Sequence, residues 1–524
     1  MTNHLILIEK EQPVNLGDQT LFEEDARNKT KADHVDSSIT TSISKKSIKE
    51  RRFFSLPKVE RQGIQPVPED ERPHTRKVDN FTLWFSINTN WIPLSLGMLA
   101  TQIYHINFWQ GLVCIILANM IVAIPGKSIF TTFGSQYGLR QIVITRYSYG
   151  LIPCHILTSL NIIAFIGWGV IDTILGAQLL ASIQLHNNVT VNFPLWVAVL
   201  VIIVGTLVIT IFGYHMLHFF ERWTWLPLWI MFFIILGLSV HHIDLSATSS
   251  NTAEDIGDVI SFFTTMASAF PIWVQCAADF TVKQPANSNR LLIAVLNYFG
   301  AIIPTILLEI FGLALGTAIA EPTQNPTWEA AYDSDNVGGL AAAILEPLSG
   351  FGKFCLVLSA FGMIVHVAPN SYGCALQVQS LVPGFYKIPI WIFILVVTTI
   401  IAVASIAGSE NLASIIQTVL PLQVYYIGPY VTVLLVEHYV FRRGHYPVEI
   451  WNSRKELPIG LAATFITMGA YGIAFLGANQ SWFSGPAAKH ISDHGGEIGL
   501  WITFVFAVFF YPPARYIEKR IFGR

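Results

Sequence analysis

The sequence predicts an all-α polytopic membrane protein with twelve transmembrane helices, and three observations carry that prediction. Only 12% of its 524 residues are charged, about half the usual share, while 52% are hydrophobic. The scarcity is uneven: 28 of the first 80 residues are charged, against 37 of the remaining 444. From Phe81 onward, apolar segments of about 20 residues recur, the length that crosses a bilayer. Lys and Arg, finally, fall almost entirely on one set of alternate loops. Strands of a lipid-facing barrel would alternate apolar and polar residues, so the spans are helices. A net charge of −3 excludes nucleic-acid partners. The five cysteines (Cys114, Cys154, Cys276, Cys355, Cys374) sit in or beside apolar stretches with no metal-ligand spacing, which excludes a secreted disulfide fold.

Residues 1–58 read as a disordered cytoplasmic tail. There is no apolar run near the start, so no cleavable signal peptide is expected. The stretch DSSITTSISKKSIK, from Asp36 to Lys49, cannot bury enough apolar surface to fold. Phosphorylation or ubiquitination there, and a solvated leader with no specific role, fit this composition equally. Residues 59–80 form a second cytoplasmic segment. Residues 81–442 then carry ten spans as a transport core, 443–514 carry two accessory spans, and 515–524 form a cytoplasmic C-terminus.

The spans fall at about 81–104, 109–127, 150–184, 194–214, 224–242, 258–280, 291–318, 351–376, 388–408, 411–438, 457–479 and 498–514. With the tail inside, 29 of 31 basic residues are cytoplasmic, among them Lys127, Arg140, Arg146, Arg222 and Lys283. Only Lys353 and Lys489 fall elsewhere. The outer loops are neutral or acidic, as at Glu254, Asp255, Asp258, Glu329, Asp333 and Asp335.

Two spans are not ordinary lipid helices. Span 1, FTLWFSINTNWIPLSLGML, holds Asn88, Asn90, Pro93, Ser95 and Gly97, so a helix break is expected at Pro93 and Gly97. Span 6, SFFTTMASAFPIWVQCAADF, breaks in the same way around Pro271. Broken backbone at membrane depth is tolerated where it lines a cavity, and interrupted helices five spans apart point to a transporter site at the midplane. Two unrelated proline kinks would give the same pattern.

Ionisable groups inside spans come next. Asp172 lies deep in span 3, one turn after Trp168. An ionised carboxylate at that depth costs at least ~2.5 kcal/mol, so it must face a wet cavity, find a donor or stay protonated. Glu309 in span 7 poses the same problem. A carboxyl that holds its proton until it meets water is what a proton-coupled carrier needs. Structural pairing with a neighbouring helix is the alternative, the lesser one for Asp172 and the favoured one for Glu309, one turn from the outer end of its span. Trp273 follows the break in span 6, and span 8 carries His366, Pro369 and Asn370. Two tryptophan faces and a side-chain amide suit a flat heterocycle, by stacking and by edge hydrogen bonds.

Strings along the chain are similar to those of a known family. They include ERQGIQPVPEDERPHTRKVDNFTLWFS, FGSQYGLRQIVITRYSYG, GWGVID, IFGYHMLHFFERWTWLP, AADFTVKQP, APNSYGCALQVQ, VEHYVFRR and SGPAAKHISDHGGEIG. From about Glu60 onward the chain resembles the nucleobase-cation-symport-1 family, in particular its fungal purine–cytosine permease branch. The resemblance implies a LeuT-like inverted repeat of five plus five spans with two accessory helices. It implies substrate binding by Ser95, Trp168, Asp172, Trp273 and Asn370, with the two aromatics sandwiching the base.

Two positions depart from that branch. Asp172 stands where those carriers usually have an amide, and His366 stands four residues before Asn370 where they usually have Asn. A carboxylate only accepts hydrogen bonds and favours a donor-rich partner, so pyridoxine, carried by a related fungal branch, or another azaheterocycle is an alternative to purines and cytosine. Sodium-coupled relatives place Ser/Thr hydroxyls in span 8 before the amide; here Ile364 and Val365 offer no side-chain oxygen. The expected coupling ion is therefore H+, with Asp172 as its leading carrier and Glu309 second, and no cofactor or metal is expected. No catalytic motif, phosphate loop or channel filter is visible, and the His215/His218 pair reads as structural. A membrane sensor that binds such a ligand without moving it would share these features.

Overall fold

A computed structural model describes residue 60 and residues 62–184, 194–246, 255–269, 271–320, 325–409 and 412–524. The tail proposed for residues 1–58 lies outside them. In chain order the helices begin with α1 (Asp79–Ile87), α2 (Trp91–Gln102), α3 (Phe108–Ala123), α4 (Thr131–Tyr137), α5 (Gln141–Tyr149) and α6 (Cys154–Ala181). They continue with α7 (Leu195–Ile211), α8 (Tyr214–Glu221), α9 (Trp225–Ser239), α10 (Asp255–Ala269), α11 (Arg290–Ala318) and α12 (Pro326–Leu345). The last are α13 (Ser349–Leu381), α14 (Ile390–Gly408), α15 (Leu412–Val436), α16 (Leu461–Ala474) and α17 (Gly499–Phe522). Among the described residues the β structure is one ribbon, Asn479–Gln480 against Phe483–Ser484.

Among the described residues, eight helical stretches are long and apolar enough to cross a membrane, and Leu195–Ile211 and Leu461–Ala474 are apolar but shorter. The first expected span is cut into α1 and α2, neither long enough alone, and the expected spans at 194–214 and 457–479 hold the two shorter helices. Helix α12 was not expected from hydropathy. Its start is nonetheless written in the sequence: Asn325 accepts hydrogen bonds from the N–H groups of Thr327 and Trp328, and Pro326 occupies the first turn.

The break in the first span lies at Asn88–Asn90, not at Pro93 and Gly97. Asn90 is extended (φ −155°, ψ −176°) and its side-chain oxygen accepts from the N–H of Ile92, which caps α2. Pro93 then falls in the first turn of α2, where a missing N–H leaves no intrahelical bond unmade. Gly97 serves packing instead. A Cβ there would lie 1.9 Å from the Glu309 carbonyl oxygen, and one at Gly312 would lie 1.8 Å from that of Leu94. The two glycines let α2 and α11 touch backbone to backbone. Near Pro271, α10 ends at Ala269, and Pro271–Gln275 forms a tighter 3-10 turn. Helix α6 packs along α13, which sets the register of the site.

Candidate functional site

A cavity opens where the break after α1, the turn after α10, and helices α6, α11 and α13 meet. Trp168, Asp172, Trp273, Glu309, His366 and Asn370 all line it. Ser95 does not: its hydroxyl turns back to donate to the Trp91 carbonyl at 2.7 Å, as a serine within a helix readily does.

Trp168 and Asp172 project from one face of α6. The Trp168 ring is fixed by its Nε1–H, which donates to Gln423 Oε1 at 2.8 Å. Trp273 comes from the turn after the break. Its ring meets Trp84 nearly edge-on at 5.4 Å and His366 at 5.8 Å. Asn370 is held by an N–H bond from its amide to the Phe165 carbonyl at 2.9 Å. The cavity thus has two indole walls and polar groups between them, the composition that grips a planar heterocycle.

The carboxylates are placed differently. Asp172 is 1% exposed; its Oδ2 faces His366 Nε2 at 3.5 Å, while its Oδ1 has no hydrogen-bond partner among the described residues. Glu309 accepts a hydrogen bond from Asn119 Nδ2, at 2.5 Å. Sequence spacing could not pair Asp172 with His366, because they are 194 positions apart and come together only through the packing of α6 on α13.

Lys127 is a second surprise. Expected as a loop residue marking topology, it lies within the wound segment Ile124–Phe130 and is 1% exposed. Its Nζ stands 3.0 Å from the centroid of the Trp84 ring and 4.9 Å from that of Trp273, so the amine is held against indole faces. Arg140, also counted as a loop residue, is fully buried.

The segment before α1 is tied to the core by two charged centres. Glu60 takes Lys283 Nζ at 3.0 Å and the Tyr214 backbone N–H at 2.6 Å. Asp79 takes the forked guanidinium of Arg222 at 2.5 and 3.1 Å and His74 Nε2 at 2.9 Å. Burial opposes ionisation of Asp79, but the hydrogen bonds from His74 and Arg222 outweigh it and hold the carboxyl down at about 2. His74, Asp79 and His218 place ligand atoms within 4.8 Å of one another, a grouping no sequence spacing reveals. With Asp79 engaged by an arginine fork, this is an ion-pair network rather than a metal centre.

Comparisons with known proteins identify the family and the fold. Residues 66–457 match the family described as permease for cytosine/purines, uracil, thiamine, allantoin. The chain is 33% identical over 471 residues to the purine-cytosine permease fcyB of Emericella nidulans, covering 89% of this chain and 90% of that one. It is 27% identical over 526 residues to the vitamin B6 transporter TPN1 of Saccharomyces cerevisiae, covering 89% and 88%. Its fold is similar to that of Mhp1, a nucleobase-cation-symport-1 family transporter solved closed with bromovinylhydantoin bound: the TM-score is 0.64 at 15% identity, over 89% of this chain and 97% of that one. The chain therefore belongs to the cytosine/purine permease family, whose members are membrane transporters and not enzymes.

Proposed function

We propose that this protein is a proton-coupled secondary transporter that imports purine bases, cytosine or a similar planar nitrogen heterocycle by alternating access. The observation that carries the reading is the convergence of Trp168, Trp273, Asp172 and Asn370 on one cavity beside two broken helices. The indoles stack on the ring, and Asp172 and Asn370 hydrogen-bond its edge. Asp172 carries the coupling proton, with Glu309 as the second candidate. The core is a five-plus-five inverted repeat with two accessory helices, twelve spans in all. Both termini face the cytoplasm and the membrane is the plasma membrane, in keeping with the basic residues that the sequence puts on one side.

A second substrate, pyridoxine, is favoured by one observation: Asp172 Oδ1, unpartnered among the described residues, asks for a donor, and pyridoxine offers hydroxyl donors on a pyridine ring. The likeness to a vitamin B6 transporter supports this option. Uptake of labelled cytosine, adenine, hypoxanthine and pyridoxine, measured in a transport-null host at two external pH values, tests both readings. Accumulation that rises at the acidic pH supports a proton-coupled carrier and names its substrate. Binding without uptake of any of the four would make the protein a sensor, and uptake indifferent to pH would remove the proton.

A further inference from the structure

The imidazole of His366 is held by a contact that fixes its tautomer. Its Nδ1 lies 2.6 Å from the Ile87 carbonyl oxygen, the last carbonyl of α1 before the break. A carbonyl oxygen only accepts, and a nitrogen lone pair at that distance would repel it, so Nδ1 carries the hydrogen. Asn90 Nδ2, 3.1 Å from the same nitrogen, donates to that carbonyl at 2.6 Å as well. Nε2 is then a bare acceptor in the neutral ring, and it faces Asp172 Oδ2 at 3.5 Å. Two buried acceptors so placed repel each other unless a proton stands between them.

We propose that Asp172 and His366 form a single proton-binding dyad, and that His366 carries its state of occupancy to the break in the first span. This rests on the proton-coupled reading above and sharpens it: the proton belongs to the pair and not to the carboxyl alone. When it is present, it bridges Oδ2 and Nε2, and His366 stays seated on the Ile87 carbonyl. When it leaves, an anionic carboxylate faces a lone pair, and the seat of α13 against the end of α1 is lost. The step is a proton transfer only: one N–H or O–H bond is made on loading and broken on release, with the proton drawn from and returned to water.

The two oxygens of Asp172 divide the work. Oδ2 belongs to the dyad, and Oδ1, which has no partner among the described residues, is left for an N–H or O–H donor of the substrate. Substrate and proton thus bind to one carboxyl group, which is the linkage symport requires. Among the described residues lining the cavity, Glu309 on α11 is the other titratable group, engaged by Asn119. Lys127 sets its Nζ against the rings of Trp84 and Trp273, the second of which also meets His366.

The test compares wild type, Asp172→Asn, His366→Asn and the double variant. Each is assayed for accumulation and for substrate exchange at external pH 5 and 7. Protons taken up per substrate bound are measured on the purified protein by calorimetry in two buffers of different ionisation enthalpy. His366→Asn is expected to bind substrate within about tenfold of wild type but to lose accumulation, with the proton count falling by one. The double variant, with two amides that satisfy each other, is expected to exchange substrate at least several-fold faster than either single variant and without pH dependence. A His366→Asn protein that keeps the wild-type proton count and pH response overturns the dyad, yet leaves Asp172 alone as carrier if Asp172→Asn is inactive. PH-driven accumulation by Asp172→Asn overturns both readings. A double variant no faster than the single ones also overturns the dyad.

Discussion

His366 touches two elements at once: its Nδ1 lies 2.6 Å from the carbonyl of Ile87 and its Nε2 lies 3.5 Å from Asp172 Oδ2. One imidazole therefore joins the break in the first span to the buried carboxyl of the third. This relationship sets a titratable pair in a cavity lined by aromatic rings.

The indole walls should carry most of the affinity. Trp273→Ala and Trp168→Ala are each expected to raise the inhibition constant of the transported base by about 5- to 150-fold, the range for losing one base–aromatic stack of ~1–3 kcal/mol. Trp168→Phe keeps a ring face but loses the bond to Gln423, so its effect should be smaller than that of Trp168→Ala. Competition uptake curves measure all three.

Glu309 separates a structural carboxyl from a second proton carrier. Glu309→Gln keeps an acceptor oxygen for Asn119 and should retain accumulation that rises at acidic pH, with at most a several-fold slower rate. Glu309→Ala leaves Asn119 without that partner and should lower the amount of protein at the cell surface. Loss of pH-driven accumulation in Glu309→Gln, at normal surface level, would make Glu309 the carrier.

The backbone contact between α2 and α11 should tolerate no side chain. Gly312→Ala would set a Cβ 1.8 Å from the Leu94 carbonyl, and the forced separation should cost roughly 1–3 kcal/mol. A drop of at least ~2 °C in the thermal midpoint of the solubilised protein is the expected reading. Gly472→Ala, with open space where its Cβ would go, should leave that midpoint unchanged.

The Asp79 centre predicts a pH dependence with a definite sign. Its carboxyl sits at about 2 in the folded protein against an ordinary value of 3.8, so the folded state binds its proton less readily. The stability this adds is complete above about pH 4 and is lost as the pH falls toward 2. The thermal midpoint of wild type should therefore fall between pH 5 and pH 3 by more than that of Asp79→Asn, while Asp79→Asn should be the less stable protein at pH 7. Parallel curves for the two proteins would show that the ion pairs with Arg222 and His74 add nothing.

Much of this protein is legible along the chain because its signals are local. Hydropathy marks segments of about 20 residues, and helical spacing puts Trp168 and Asp172 on one face. Pro271 marks where the sixth span breaks. Proline and glycine in the first span point to a break a few residues too late. Asn90 makes it instead, by capping α2, and Pro93 and Gly97 fit inside the helix that follows. Lys127 and Arg140 likewise have the residue type of loop charges, yet both are buried in the fold.

By itself, then, the sequence determined the class of protein, the interrupted spans and the side chains worth watching. The tertiary structure decided which of them meet. It set His366 against Asp172, turned Ser95 away from the cavity and laid Lys127 on Trp84. The physical reason is that an apolar run reports its own preference for lipid, whereas a buried polar atom is satisfied by whatever donor or acceptor the packing brings to it. When that partner lies far off on another helix, no spacing in the sequence can name it.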